Sequence, residues 1–301
     1  AGAVHSRLLE KLAVSRIAYV NGRYVPHHAA GVHVEDRGYQ FADGVYEVFT
    51  IEHGRLVDVP AHHDRLMRSL GELGIASPMA PGALDVVLHE VVRRNRLQRG
   101  IVYLQVTRGV SPRNHAFPDD VEPSVVVTAR RGGRPSSENQ DNGVTVITVP
   151  DIRWGRCDIK SVSLLPNILA KQAAKEANAY EAWQVDSDGM VTEGTSSNAW
   201  IVDTDGNLLT RPLANAILGG ITRLVLKQLA EEQGIRVIER PFSVAEAMAA
   251  REAFVTSATS FVTPVVQIDD RVIANGKPGS TTTRLITLYG NHVRNTQLTK
   301  T

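Results

Sequence analysis

Three stretches of this chain carry residue types that can do chemistry together. The first is Asp151-Ile-Arg-Trp-Gly-Arg-Cys-Asp-Ile-Lys160, ending on a lysine. The second is Val191-Thr-Glu193-Gly-Thr-Ser-Ser-Asn198, a carboxylate in what reads as a Ser/Thr-rich turn. The third is Leu218-Gly-Gly-Ile-Thr-Arg223, a glycine pair ahead of a helical pattern. A lysine amine condenses with a carbonyl to give a Schiff base. A carboxylate keeps a ring nitrogen protonated, so that the ring withdraws electrons. A helix start offers a phosphate free backbone N–H groups and the positive end of the dipole. A phosphorylated pyridine aldehyde uses all three, and pyridoxal 5′-phosphate (PLP) is such a molecule.

The elements that must position these groups follow from periodicity. Ile17-Ala-Tyr-Val-Asn-Gly-Arg-Tyr-Val25 predicts a hairpin turning on Asn21-Gly22, the pair favoured by a type I′ turn. Gly44-Val-Tyr-Glu-Val-Phe-Thr-Ile51 and Arg55-Leu-Val57 predict a second, turning on His53-Gly54. From about His62 the period becomes helical, with Leu66, Leu70 and Leu73 on one face and Gly74 as the stop. A second helix opens near Pro81, with Leu84, Val87, Leu88 and Val91 inward. Residues 101–107 and 124–128 read as buried strands. The polar, glycine-rich run 130–143 reads as a linker between a small N-terminal α+β domain, 1–129, and a larger C-terminal domain, 144–301, expected to carry the cofactor. Beyond it, strands are expected at 144–149, 181–185, 198–203 and 252–257, and helices at 165–178 and 222–233.

Bulk properties narrow the function classes. A chain of 301 residues with 43% hydrophobic and 22% charged content is an ordinary globular one. A formal net charge of +1 makes no electrostatic case for nucleic acid or an anionic membrane, and neither is expected as a partner. The single cysteine, Cys157, forms no intrachain disulfide, which suits a reducing, cytoplasmic compartment. No apolar run is long enough to span a membrane. The first residues lack a basic start and an apolar core, so no secretory signal is expected. Val4, Leu8 and Leu12 repeat at helical spacing, so residues 1–14 form either a docked helix or an extension foreign to the domain. Metal binding is not expected, because His27-His28 and His62-His63 are adjacent pairs without zinc-site spacing.

Five pieces in order resemble the class IV aminotransferases, the PLP enzymes of fold type IV, and among them the D-amino-acid enzymes. They are Glu35-Asp-Arg-Gly-Tyr-Gln-Phe-Ala-Asp-Gly-Val-Tyr-Glu47, Val106-Thr-Arg-Gly-Val-Ser-Pro-Arg-Asn-His115, Asp158-Ile-Lys160, Val191-Thr-Glu-Gly194 and Gly220-Ile-Thr-Arg223. The resemblance spans about 17–288 and implies a two-domain α+β fold. It also implies a homodimer with sites near the subunit interface. By this resemblance Lys160 is the Schiff-base lysine and Glu193 the partner of the pyridine nitrogen. Arg65 matches the phosphate-binding arginine, Ile221 and Thr222 the helix start that receives the phosphate, and Leu218 a leucine behind the cofactor ring. Ser196, Asn198, Ser257 and Ala258 fall in the cofactor segments. Tyr46, Arg113 and His115 match the groups that bind the substrate α-carboxylate in D-specific members, an Arg-x-His pair that branched-chain relatives lack. One departure is Ala258, where D-specific members carry a hydroxyl near the phosphate; Ser257 or backbone N–H groups can supply that donor.

Each residue also has a plainer reading. Lys160 alone would be a solvated charge, Glu193 a turn residue, and Tyr46 a core side chain of an alternating strand. Arg113 and His115 would sit in an ordinary surface loop, although a guanidinium fork suits a carboxylate. Cys157 reads as an inert buried thiol. Arg65 is read as opening an amphipathic helix, where a cation opposes the dipole, and that misfit favours an anionic ligand. The expected reaction is ping-pong transamination between D-amino acids such as D-alanine and 2-oxo acids such as 2-oxoglutarate. Within the same fold a branched-chain L-aminotransferase, an (R)-amine transaminase and an aminodeoxychorismate lyase stay open. From another class, so does a PLP carrier without turnover.

Overall fold

The computed structural model describes residues 17–132 and 136–295. Residues 1–14, expected as either a docked helix or a foreign extension, and part of the expected linker lie outside them. By contacts the chain divides into two compact units. One holds the described residues up to 132 together with Ile159–Ser163; the other holds 136–158 and 164–295.

In the first unit β1 (Ile17–Val20) and β2 (Arg23–Pro26) form the expected hairpin. Asn21 and Gly22 take φ of 43° and 87°, the left-handed geometry of a type I′ turn. There follow α1 (Arg37–Phe41), β3 (Gly44–Glu52), β4 (Arg55–Leu56), α2 (Val59–Glu72), α3 (Pro81–Arg94), β5 (Arg99–Thr107) and β6 (Ser124–Arg130). The strands make one antiparallel sheet in the order β2-β1-β6-β5-β3-β4. Leu66 and Leu70 of α2 and Leu84, Leu88 and Val91 of α3 pack with Val45, Phe49 and Ile51 of β3 in one core. Each such side chain contributes about 1.5–3 kcal/mol when fully buried.

The second unit contains α4 (Ser137–Asn142), β7 (Val144–Pro150), α5 (Leu165–Glu176), β8 (Glu181–Val185), β9 (Val191–Gly194), β10 (Asn198–Val202), β11 (Leu208–Thr210), α6 (Ile221–Glu232), β12 (Val237–Glu239), α7 (Val244–Met248), β13 (Glu252–Ser257), β14 (Phe261–Ile268), β15 (Arg271–Val272) and α8 (Ser280–Asn295). Its sheet runs β12-β11-β10-β13-β14-β7-β8-β9, with β15 beside β14. A tight turn, in which Gly194 N–H donates to Ser197 O at 2.7 Å, joins β9 directly to β10. The sheet therefore curls until β9 returns to β10. This turn places Glu193 at the end of a buried strand; the sequence had suggested a turn residue.

Several expectations need correction. Ile159–Ser163, grouped by the sequence with the C-terminal part, clusters with the first unit. The cause is backbone pairing with β3: Tyr46 N–H donates to Lys160 O at 3.0 Å, and Val162 N–H to Gly44 O at 3.0 Å. The expected linker contains α4, capped by Ser136 Oγ. β14 was missed because Pro264 interrupts its pattern. The proline is tolerated there because pairing with β7 begins only at Val265. The terminal α8 was missed because it opens on a Thr run of low helix propensity. The buried Glu252 carboxylate accepts from Thr281 N at 3.0 Å and Thr282 N at 2.7 Å, and so supplies the cap from a distant strand.

Candidate active site

Lys160 leaves the sheet edge through its backbone. Its carbonyl is held by Tyr46 N–H, and its own N–H donates to Ser69 Oγ at 3.3 Å. The side chain is half-buried and free to run over Tyr46, with Nζ 4.2 Å from the ring centroid. Tyr46 in turn stacks on Tyr103 at 5.6 Å and 27°. Burial, with Tyr46 adding to it, pushes the Tyr103 hydroxyl up to about 12, so it stays protonated and donates to Gln105 Oε1 at 2.7 Å.

Adjacent residues of a strand point to opposite faces, so Glu47 points away from Tyr46, toward α2. There Arg65 donates Nε and Nη2 to Glu47 Oε1 and Oε2 at 2.8 and 2.7 Å, and His62 Nδ1 lies 2.7 Å from Oε2. Burial opposes ionisation of Glu47, but Arg65 and His62 outweigh it and hold the carboxyl down at about 2. α2 begins at Val59, so Arg65 lies in its second turn and does not open the helix. The dipole argument for an anionic ligand lapses, because that effect fades within the first turn.

Arg113 and His115 are exposed, on the loop between β5 and β6. Both side chains rest on Phe41: the Arg113 guanidinium lies 4.7 Å from the ring centroid, and the His115 ring 5.4 Å from it.

In the second unit Glu193, Asn198 and Leu218 meet. Asn198 Nδ2 donates to Glu193 Oε2 at 3.0 Å and to Leu218 O at 2.9 Å. Leu218 N–H points at both carboxylate oxygens at 3.2 Å. Sequence reasoning missed a further member, Arg153, whose Nη1 donates to Glu193 Oε1. Its Nε and Nη2 grip Asp151 at 2.9 and 2.7 Å, and Nη2 also reaches Ala216 O at 3.0 Å. Burial opposes the Arg153 charge, but Asp151 and Glu193 outweigh it and raise its pKa. Burial also opposes Asp151 ionisation, yet Arg153 and Thr192 hold it below the usual carboxylate range. The only signal in the sequence was Asp151 two places before Arg153, which reads equally as a solvated pair.

Cys157, between this cluster and Lys160 in sequence, is half-buried; the sequence had suggested a buried thiol. Burial pushes its thiol up to about 11, and it donates to Trp154 O at 3.2 Å, so it is unreactive at neutral pH.

Gly220 caps α6 without any side-chain bond to the first N–H groups, leaving the helix start to a ligand or solvent. Ile221 and Thr222 are buried there, and Thr222 Oγ1 lies 3.3 Å from Tyr289 OH. Ser257 Oγ and Ser260 Oγ lie 2.6 Å apart in the turn containing Ala258. Ser196 is the exposed hydroxyl of the β9–β10 turn. A Cβ on Gly220 would stand 2.1 Å from Asn198 Oδ1. Gly220→Ala is therefore expected to push Asn198 off Glu193 and Leu218 and to weaken PLP binding by about tenfold or more, the scale of one charge-assisted contact. Titration of the apoprotein with PLP reads this, and unchanged affinity would detach Gly220 from the cofactor.

These groups fit PLP. Asp151, Arg153 and Glu193 sum to one net negative charge and suit a protonated ring nitrogen, and the uncapped helix start suits a phosphate. The amino-transferase class IV profile matches residues 44–268. The chain belongs to the class IV aminotransferases. Relatives include the D-alanine aminotransferase of Bacillus licheniformis, 42% identical over 91% of this chain and 95% of that protein. That of Listeria innocua is 44% identical over 88% and 92%. Among solved structures, the branched-chain aminotransferase of the archaeon Thermoproteus uzoniensis superposes with a TM-score of 0.83 at 26% identity, over 93% of this chain and 95% of that one. A second branched-chain enzyme, solved with pyridoxamine 5′-phosphate, superposes with a TM-score of 0.85 at the same 26% identity and the same coverage. As a class IV aminotransferase the chain is a PLP-dependent transferase of the two-domain α+β type. Among the described residues no helix is long and apolar enough to cross a membrane, and no cluster of His, Cys, Asp or Glu could hold a metal ion.

Proposed function

We propose that this aminotransferase exchanges the amino group of a D-amino acid, such as D-alanine, for the oxo group of a 2-oxo acid, such as 2-oxoglutarate. The observation that carries the reading is the 42–44% identity with D-alanine aminotransferases along nearly the whole chain, against 26% for the two branched-chain structures of the same fold. When bound, PLP supplies an aldehyde that takes up the amino group and a ring that withdraws electrons from Cα.

The chain's own residues do the rest. Glu193, held in place by Arg153, Asn198 and Leu218 N–H, pairs with the ring nitrogen and keeps the proton there. The start of α6, with Ile221 and Thr222, takes the phosphate, and Ser257 adds a donor toward it. Lys160 carries the cofactor through Nζ and moves a proton between substrate Cα and cofactor C4′ as base and acid in turn. The Tyr46 ring beneath Nζ limits where that amine can reach. Arg113 and His115, with the Tyr46 hydroxyl, bind the α-carboxylate and so decide which enantiomer presents its Cα–H to Lys160. We take the chain to act as a cytoplasmic homodimer, whose mass sedimentation measures. The exposed apolar residues Val34, Tyr39 and Phe117 of the first unit and Ile152, Leu165 and Leu169 of the second are consistent with such an assembly.

A single-turnover experiment tests the specificity. Loss of the bound-cofactor absorption is expected with D-alanine and not with L-alanine at the same concentration. Equal or faster loss with L-alanine would overturn the D-specific reading and favour the branched-chain one.

A further inference from the structure

Arg113 and His115 stand on a loop with no secondary structure of its own, and both side chains are exposed. A carboxylate-binding pair cannot discriminate between enantiomers if it wanders, because misplacement by about 1 Å is costly in a binding constellation. Something must hold the pair. Two residues of α1 in the Glu35–Glu47 stretch meet that need: Phe41, on which both side chains rest, and Arg37.

Arg37 is buried, and its fork is aimed at the loop's backbone. Nη1 donates to Asn114 O at 2.6 Å and to Ala116 O at 3.3 Å, and Nη2 donates to His115 O at 3.4 Å. Nε is fixed by Asp43 Oδ2 at 2.8 Å, and Asp43 is itself gripped by Arg108. Phe41, four residues on, offers its ring to three groups: the guanidinium of Arg37 at 4.8 Å, that of Arg113 at 4.7 Å and the imidazole of His115 at 5.4 Å. The helix is placed for this by its cap. Asp36 accepts from Gly38 N–H at 2.8 Å and from Thr107 Oγ1 at 3.0 Å, which ties α1 to the end of β5. Ala42 at φ 57° then turns the chain into β3.

We propose that Phe41 and Arg37 are positioning residues for substrate specificity. Phe41 is the platform on which Arg113 and His115 are presented to the substrate carboxylate, and Arg37 clamps the backbone that carries them. The inference rests on the reading that Arg113 and His115 bind that carboxylate. It predicts a separation of kinetic effects, because the platform touches carboxylate binding and not the proton transfer at Lys160.

The test is steady-state kinetics of the holoenzyme with D-alanine and 2-oxoglutarate. Phe41→Leu removes the aromatic face and is expected to raise KM for both substrates about fivefold, with kcat within about twofold, the scale of lost cation–π contacts. Phe41→Tyr keeps the face and is expected to restore KM. Arg37→Lys keeps the charge but cannot span three carbonyls. It is expected to raise KM about tenfold and to speed hydrogen exchange at residues 111–117. Arg113→Ala is the reference. If Arg113→Ala leaves KM unmoved, the carboxylate reading itself fails. If Arg113→Ala raises KM while Phe41→Leu and Arg37→Lys keep wild-type KM, the reading stands and the positioning role is overturned. A fall in kcat without a rise in KM in both α1 variants would overturn it too.

Discussion

Lys160→Ala is expected to abolish transamination in a protein that still folds. The two halves of this expectation have separate physical causes. Activity is lost because the covalent attachment point and the proton carrier are the same amine. Removing a general base alone typically costs about 10²–10⁴-fold, and here the nucleophile goes with it. Folding survives because the residue's structural bonds are made by its backbone: Tyr46 N–H to Lys160 O, and Lys160 N–H to Ser69 Oγ. Alanine keeps both. The side chain contributes only the contact with the Tyr46 ring, about 0.5–1 kcal/mol at a partly exposed position. The checks are turnover with D-alanine, a borohydride-reduced adduct mapped by mass spectrometry, and the thermal midpoint. An adduct at another lysine with near-normal turnover would move the role elsewhere. Lys171, the next lysine along the chain, is engaged with Tyr180 O and lies 3.5 Å from Glu181.

Glu193→Gln is expected to keep PLP but to slow the proton-transfer steps by about tenfold to a thousandfold, the span for weakening one electrostatic element. The surroundings make the substitution harsher than its size suggests. Each oxygen of Glu193 faces donors: Arg153 Nη1 and Leu218 N–H at Oε1, Asn198 Nδ2 and Leu218 N–H at Oε2. An amide must turn its own NH₂ toward one of these, setting donor against donor. It also removes one of the two carboxylates that compensate the buried Arg153. A stability loss of about 1–3 kcal/mol is expected alongside the kinetic one. Stopped-flow absorption and thermal melting read the two effects. An unchanged rate with an unchanged cofactor spectrum would remove Glu193 from the cofactor.

Much of this was legible before the structure, and what was not has a common cause. The Asn21-Gly22 turn was readable because a type I′ turn demands positive φ at both positions, a constraint two residues satisfy alone. The α2 and α3 faces were readable because periodicity is a property of neighbours. α8 was not, because its cap comes from Glu252 on β13. Arg153 was not, because an arginine beside an aspartate looks solvated until a distant strand brings Glu193 to it. Phe41 was not, because its value lies in what a separate loop lays on its ring.

The sequence by itself determined the order and identity of the chemical groups: a lysine, a carboxylate, a glycine-led helix and an Arg-x-His pair. These are properties of side chains and of spans a few residues long. Only the tertiary structure decided their company. It paired the Lys160 segment with β3 and set the Nζ amine over Tyr46. It also returned β9 to β10 so that Glu193 met Asn198, Leu218 and Arg153. Those contacts depend on strand register and loop closure across long stretches of chain, and no local periodicity encodes them.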